Sequence, residues 1–239
     1  MFRHQGESRT TKHNLRVATI LSFVAGIVNI TGFLAFHQLT TNVTGHFALF
    51  IRDVASFDIL KGTIYFLYIL SFLFGSFLSS FLIERFRESK KLNVYVLPTL
   101  IESLILLTIA IASNFILFKY PDLIVCLLLL AMGLQNSFVT KISDTIVRTT
   151  HLTGLFTDLG IEISQLFFPK SYPNRDKVKS YIKLRVFIIS FFFLGGIVSG
   201  FLYTKMGLKL NTLIFGAAIL IISLLYDDLS DKLVRAKSE

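Results

Sequence analysis

Long uncharged runs alternate with short charged segments along this chain. Six of the runs approach the ~20 apolar residues that a helix needs to cross ~30 Å of hydrocarbon. They cover residues 17–36, 62–83, 92–118, 123–140, 186–204 and 210–226, and Glu102 alone interrupts the third. The pattern predicts an all-α membrane protein of six transmembrane helices. Pro98 falls six residues into the third run, where a bend is expected, and Pro121 separates the third run from the fourth. Pro169 and Pro173 mark the one sizeable loop, PKSYPNRDKVKSYIK. The first run follows a polar, basic segment and precedes no small-residue cleavage site, so it is expected to be retained as a span.

Composition agrees with this pattern and removes other classes. The 239 residues are 53% hydrophobic and only 16% charged, with a mean hydropathy of +0.67, which leaves too little polar surface to clothe a soluble domain. The formal charge of +9 resides in segments that flank the apolar runs, a distribution that argues against nucleic acid as a partner. Cytoplasmic segments retain Lys and Arg. With the N-terminus inside, nineteen of the 24 Lys and Arg fall on the cytoplasmic side and five on the other, which places both termini in the cytoplasm. Cys126 is the single cysteine, so no intrachain disulfide exists.

A second pattern lies beneath the spans. VAGIVNITGFL, TTNVTGHF and FLFGSFLSSFL in the first half correspond in order to LAMGLQNSFVT, RTTHLTGLF and FFFLGGIVSGFL in the second. Gly26 and Asn29 match Gly133 and Asn136, Thr41, Thr44 and Gly45 match Thr150, Thr153 and Gly154, and Gly75 and Ser79 match Gly195 and Ser199. Three spans per half is an odd number, so matched residues are expected on opposite membrane faces, as two inverted three-helix repeats. Such repeats are common in secondary transporters, where the ligand site lies near the midplane between the halves. A plainer account is that duplication built a stable bundle and nothing more. The resulting division is a cytoplasmic tail over 1–16, a first repeat over 17–118, a second over 119–226 with a basic cytoplasmic loop at 169–185, and a tail over 227–239.

The AGIVNITGF string, the following TG, the string AMGLQN and the second TG together resemble the YoaK-type family of uncharacterised bacterial inner-membrane proteins, over nearly the whole chain. That resemblance implies a bacterial inner-membrane location and brings no activity with it. Family members often carry an acid where this chain has Asn29, and an Asn where it has His46.

Candidate chemistry follows from polar residues inside or beside the spans. Thr44-Gly45 and Thr153-Gly154 open short apolar stretches that are expected to be half-helices capped by threonine. Two helix N-termini related by pseudosymmetry are able to converge on an anion or polar ligand; ordinary caps at an interface read equally well. Asn29, Asn136 and Gln135 lie inside spans, either bonding across helices as glue or lining a polar path. Glu102 is an intramembrane carboxyl, a functional residue by default, or else a wetted one near the cytoplasmic interface. Asp158 and Glu162 read as the solvated face of an amphipathic helix, and Arg52 with Asp53 as a surface ion pair. Gly26, Gly75, Ser79, Gly133, Gly195, Gly196, Ser199 and Gly200 are small residues expected at helix-packing faces.

His37, His46 and His151 have no ligand spacing, so no metal or other cofactor is expected. No hydrolase elbow, zinc-protease helix or phosphate loop is present, so no enzyme is expected. Two functions remain open. One is a small-molecule secondary transporter or channel whose substrate pathway runs past Asn29, Thr44, Gly45, Glu102, Gln135, Asn136, Thr153 and Gly154. The other is a membrane scaffold or accessory subunit whose basic loop binds anionic lipid or protein. The lipid bilayer and an unknown small-molecule substrate are the expected partners, and so small a bundle is compatible with a homodimer.

Overall fold

The computed structural model describes residues 11–87, 95–113, 115, 120–143, 147–168 and 174–236, with backbone alone for 11, 12 and 227–236. Among them the chain forms helices α1 (Thr11–Phe36), α2 (Thr44–Ala55), α3 (Ile59–Arg85), α4 (Val96–Ala112), α5 (Pro121–Ile142), α6 (Leu152–Gln165), α7 (Arg175–Thr204) and α8 (Leu213–Ala236). A 3-10 turn, Lys209–Thr212, leads into α8, and the described residues contain no strand. Five segments are long and apolar enough to cross a membrane: His13–Phe36, Ile59–Arg85, Pro121–Ile142, Arg175–Thr204 and Lys209–Tyr226. Val96–Ala112 is a shorter apolar helix.

Local chemistry sets several helix ends. The side chains of Asp58 and Asn174 accept hydrogen bonds from the backbone N–H groups of Lys61 (3.4 Å) and Lys177 (3.2 Å), capping α3 and α7. Pro121 opens α5, at a position where its missing N–H costs no helical bond. Pro98 falls in the first turn of α4 for the same reason, so the bend expected within a long run is replaced by a helix start. That run is helical over 17 residues; its flanks at 92–94, 114 and 116–118 lie outside the described residues. Ser113 closes α4 by donating to the Ala110 carbonyl at 2.7 Å. The basic segment is helical from Arg175 onward, while Pro169 and Pro173 lie outside the described residues. His37 takes a left-handed conformation (φ 55°) that ends α1 and turns the chain back along it.

Packing crosses the chain in a regular way. α1 lies along α7, α3 lies along α5, and α4 pairs with α8. Each long pair runs parallel. Tyr68 donates to Asp122 near the start of α3 and α5, and Glu84 pairs with Lys141 near the end of both. In the other pair Phe23 meets Gly195, and further along both helices Ser199 bonds Thr31 at 2.9 Å and the Ile27 carbonyl at 3.1 Å.

Glycine permits these approaches at four places. A methyl group added at Gly26 would overlap the Phe192 carbonyl oxygen, and one at Gly133 would overlap that of Phe72. Added at Gly75 or Gly195, it would overlap the carbonyl oxygens of Leu130 and Phe23. Four backbones therefore touch backbone where a side chain cannot fit, which is how helices bind one another when lipid supplies no hydrophobic contrast. Gly196 and Gly200 contribute less: their added methyls would lie 3.0 Å and 4.0 Å from Ile30. Ser76, which was not anticipated, donates to the Gly133 carbonyl at 3.1 Å, while the buried hydroxyl of Ser79 has no partner. α1 and α5 are mostly buried. Phe74, Phe77 and Phe81 of α3, and Phe193 and Phe201 of α7, remain exposed as a lipid-facing surface would require.

Candidate functional site

The connector after α1 folds back along the helix it has just left. Thr41 donates to Asn29 Oδ1 at 2.9 Å and Thr40 donates to the Val28 carbonyl at 3.1 Å. Asn29 lies seven residues before the end of α1, about 10 Å at 1.5 Å per residue. From that depth α2 runs back antiparallel to α3, with His46 against Tyr65 and Tyr68, Phe50 against Phe66, and Val54 against Gly62.

The connector after α5 repeats this path. Thr150 donates to Asn136 Oδ1 at 2.8 Å, and Asn136 donates its own amide to the Met132 carbonyl at 3.0 Å. Gln135 donates both to Thr149 Oγ1 at 3.0 Å and to the Leu21 carbonyl of α1 at 3.1 Å. The amide of α5 thereby ties the second connector to the first helix of the chain. α6 then runs antiparallel to α7, with Leu166 near Arg175 and Glu162 near Arg185.

These bonds reassign the threonines. Thr44 and Thr153 are exposed and lie within the first turns of α2 and α6; the N-cap residues are Val43 and His151, and neither helix has a side-chain cap. The hydroxyls expected to cap are therefore those that face outward, whereas Thr41 and Thr150, three residues earlier in both halves, hold the half-buried amides of Asn29 and Asn136. Gly45 meets only ordinary contacts and Gly154 lies against the His151 ring. Each half-helix packs mainly on the long helix that follows it, and the two TG segments are not brought together.

Two of the three acids on the half-helices are buried, while Asp158, its side chain 46% exposed, keeps a partly solvated position. Asp53 is 5% exposed and Glu162 7%. Asp53 accepts from Arg52 Nε at 2.6 Å, and Glu162 accepts from Arg185 Nε at 2.8 Å, while Asp158 meets Arg185 at 3.1 Å. Burying a carboxylate is tolerable when an arginine and hydrogen bonds compensate it. On the α2 side the network is aromatic: the His46 ring is buried, bonds the Leu39 carbonyl through Nε2 at 2.7 Å, and packs on Tyr65 and Tyr68.

Glu102 is different. It is 0% exposed, within the buried face of α4 that also carries Thr99 and Ser103, and neither carboxyl oxygen has a hydrogen-bond partner. The wetted interfacial position is thus overturned. Gln135 Oε1, Ser22 Oγ and Thr212 Oγ1 are further buried atoms without partners. No group of three potential metal ligands converges among the described residues. The site's chemistry is that of amides, hydroxyls and carboxyls.

Five helices able to span a bilayer define a multi-pass α-helical membrane protein. Residues 17–226 match the family model described as "Protein of unknown function (DUF1275)", and the chain belongs to that family. It is 25% identical over 186 residues to the UPF0700 transmembrane protein YoaK of Bacillus subtilis (strain 168), a similarity covering 75% of this chain and 80% of that relative. No solved structure matches it.

Proposed function

We propose that the chain is a six-span protein of the bacterial inner membrane, built of two inverted three-helix repeats with both termini cytoplasmic, that carries a small polar molecule along a path between the halves. The observation that carries this reading is a bond made twice: Thr41 to Asn29 and Thr150 to Asn136, at matched positions where the chain re-enters beside α1 and α5. The matched glycine contacts, with α1 on α7 and α5 on α3, support the same pseudo-twofold relation.

Parallel packing supports α4 as the sixth span. Because α3 and α5 start side by side and end side by side, the chain must return between them, and α4 is the helix in that interval. Seventeen residues make about 25 Å of helix, short of ~30 Å but within reach of a locally thinned bilayer. Three crossings per half put the two connectors on opposite faces, and the Lys and Arg bias sets the N-terminus inside. Irregular backbone that dips about 10 Å along a span is tolerated in membranes where it lines a polar cavity or is covered by protein. Unpartnered oxygens of Gln135, Ser22 and Glu102 give such a path groups that water or substrate would satisfy.

The test is a comparison of metabolites between cells that lack the protein and cells that overproduce it. At least one small polar metabolite is expected to change with the wild type, to return to the deletion level with Thr150→Val or Asn136→Ala, and to follow the wild type with Thr153→Val. Identical profiles for all variants and the deletion would remove the transport reading.

A further inference from the structure

Three buried acids distinguish themselves by what the fold supplies to them. Asp53 has Arg52 and Glu162 has Arg185, each within hydrogen-bond distance. Glu102, buried more completely than either, has no cation and no donor. No Lys or Arg is among the buried described residues. An intramembrane carboxylate without compensation is so costly that a purely structural site favours an apolar side chain of similar size. The carboxyl is therefore retained for its chemistry.

Its location adds to this. Leu106, one turn along the same buried face of α4, reaches the surface of Gly216 in α8 where Val24 and Ile27 of α1 also meet it. Glu102 thus lies one turn from the junction of α1, α4 and α8, which join the first half of the chain to the second. Titratable groups with described side chains on the elements around it are His13 and Arg16 on α1, Lys61, Tyr65, Tyr68, Glu84 and Arg85 on α3, and Tyr95 at the start of α4. The others are Asp122, Cys126 and Lys141 on α5, Lys209 on the turn and Tyr226 on α8. None of them bonds the Glu102 carboxyl; Asp122 is engaged by Tyr68 and Lys141 by Glu84.

We infer that Glu102 is the proton-carrying group of this core, holding a proton while sealed between the halves and exchanging it with water on each face as they re-pack, so that the proton is the coupling ion. The inference rests on the transport reading above, but its test does not depend on knowing a substrate. Dicyclohexylcarbodiimide is apolar and reacts with a protonated carboxyl. The acid proton passes to one carbodiimide nitrogen while the carboxyl oxygen adds to the central carbon, and the adduct rearranges to a stable N-acylurea; no oxidant or further reactant takes part.

The full chain in liposomes, with inner and outer pH set separately, would be treated with this reagent and its peptides weighed. The expected result is an adduct at Glu102, absent in Glu102→Gln. Its rate should fall about tenfold per pH unit once the group begins to titrate, whichever face is made alkaline. Asp53 and Glu162, each engaged by an arginine, serve as comparison sites in the same digest. No adduct at Glu102, a rate that ignores pH on both faces, or a rate that follows one face alone would each overturn the carrier role. Glu102→Gln keeps the side chain's size and removes only the acid, so loss of its adduct reports on the acid itself. Failure here with metabolite changes intact would leave transport standing without proton coupling; an adduct of the expected kind with no metabolite change would leave a proton-exchanging carboxyl and overturn its role in coupling.

Discussion

The hairpin of α1, α2 and α3 and the hairpin of α5, α6 and α7 share their backbone contacts and differ in their charges. In both, a threonine of the connector bonds an asparagine 12 or 14 residues upstream, and a backbone carbonyl of the partner helix lies against a glycine of the first helix. The half-helices then diverge. α2 rests its own His46 on two tyrosines of α3, and its buried acid is held by the exposed Arg52 beside it on the same helix; α6 is held to α7 by Arg185, which is 19% exposed and engages two acids. What the two hairpins have in common is the geometry that bends the chain back into the bundle. What changed is the group that fastens each half-helix to its neighbour, so the two hairpins share a design and need not open with equal ease.

Substitutions test how far the likeness goes. The largest effect is expected from Gly26→Ala and Gly133→Ala, whose methyl groups would overlap a carbonyl that cannot rotate away. Each should cost about 3 kcal/mol or more, the top of the overpacking range, and lower the yield of monodisperse protein in detergent. If one is tolerated and the other is not, the packing is not duplicated. Next comes the difference between the arginines. Arg185→Gln strands the buried Glu162 and is expected to cost about 3 kcal/mol in thermal unfolding. Arg52→Gln should cost under about 1 kcal/mol, because that guanidinium is 59% exposed and screened. Equal losses would say that a pair within α2 and a bridge from α6 to α7 matter alike. Smallest are the threonines: Thr41→Val and Thr150→Val should each cost about 1 kcal/mol, the net worth of a hydrogen bond. Thr44→Val and Thr153→Val, on exposed positions, should stay within about 0.5 kcal/mol. A reversal of that order would restore the capping role to the later pair.

The threonine result marks where reading the sequence stopped. Hydropathy gave the long helices because lipid enforces length and apolarity on each span, and the matched strings gave the equivalence of Asn29 with Asn136. Which hydroxyl reaches the amide depended on the left-handed turn at His37 and on the fold-back it starts. Thr41 and Thr44 are alike in a one-dimensional pattern, and their Asn partner is not at any helical spacing. Asp53 and Glu162 looked like surface residues because charged neighbours surround them; packing on α3 and α7 decided their burial. Only the fixed interval of eight residues from Gly45 to Asp53 and from Gly154 to Glu162 hinted that the two acids are counterparts. The third apolar run did not show where its helix begins, since nothing in such a run says that Pro98 will fall in a first turn.

The central claim is that the two hairpins face opposite sides of the membrane. Phe57, 89% exposed at the turn after α2, and Phe167, 78% exposed after α6, mark their outer ends. With Cys126 replaced by Ser, single Phe57→Cys and Phe167→Cys proteins would be treated with a membrane-impermeant maleimide in intact spheroplasts and in inverted vesicles. The account predicts that the first reacts in spheroplasts alone and the second in inverted vesicles alone; reaction of both from the same side would contradict it.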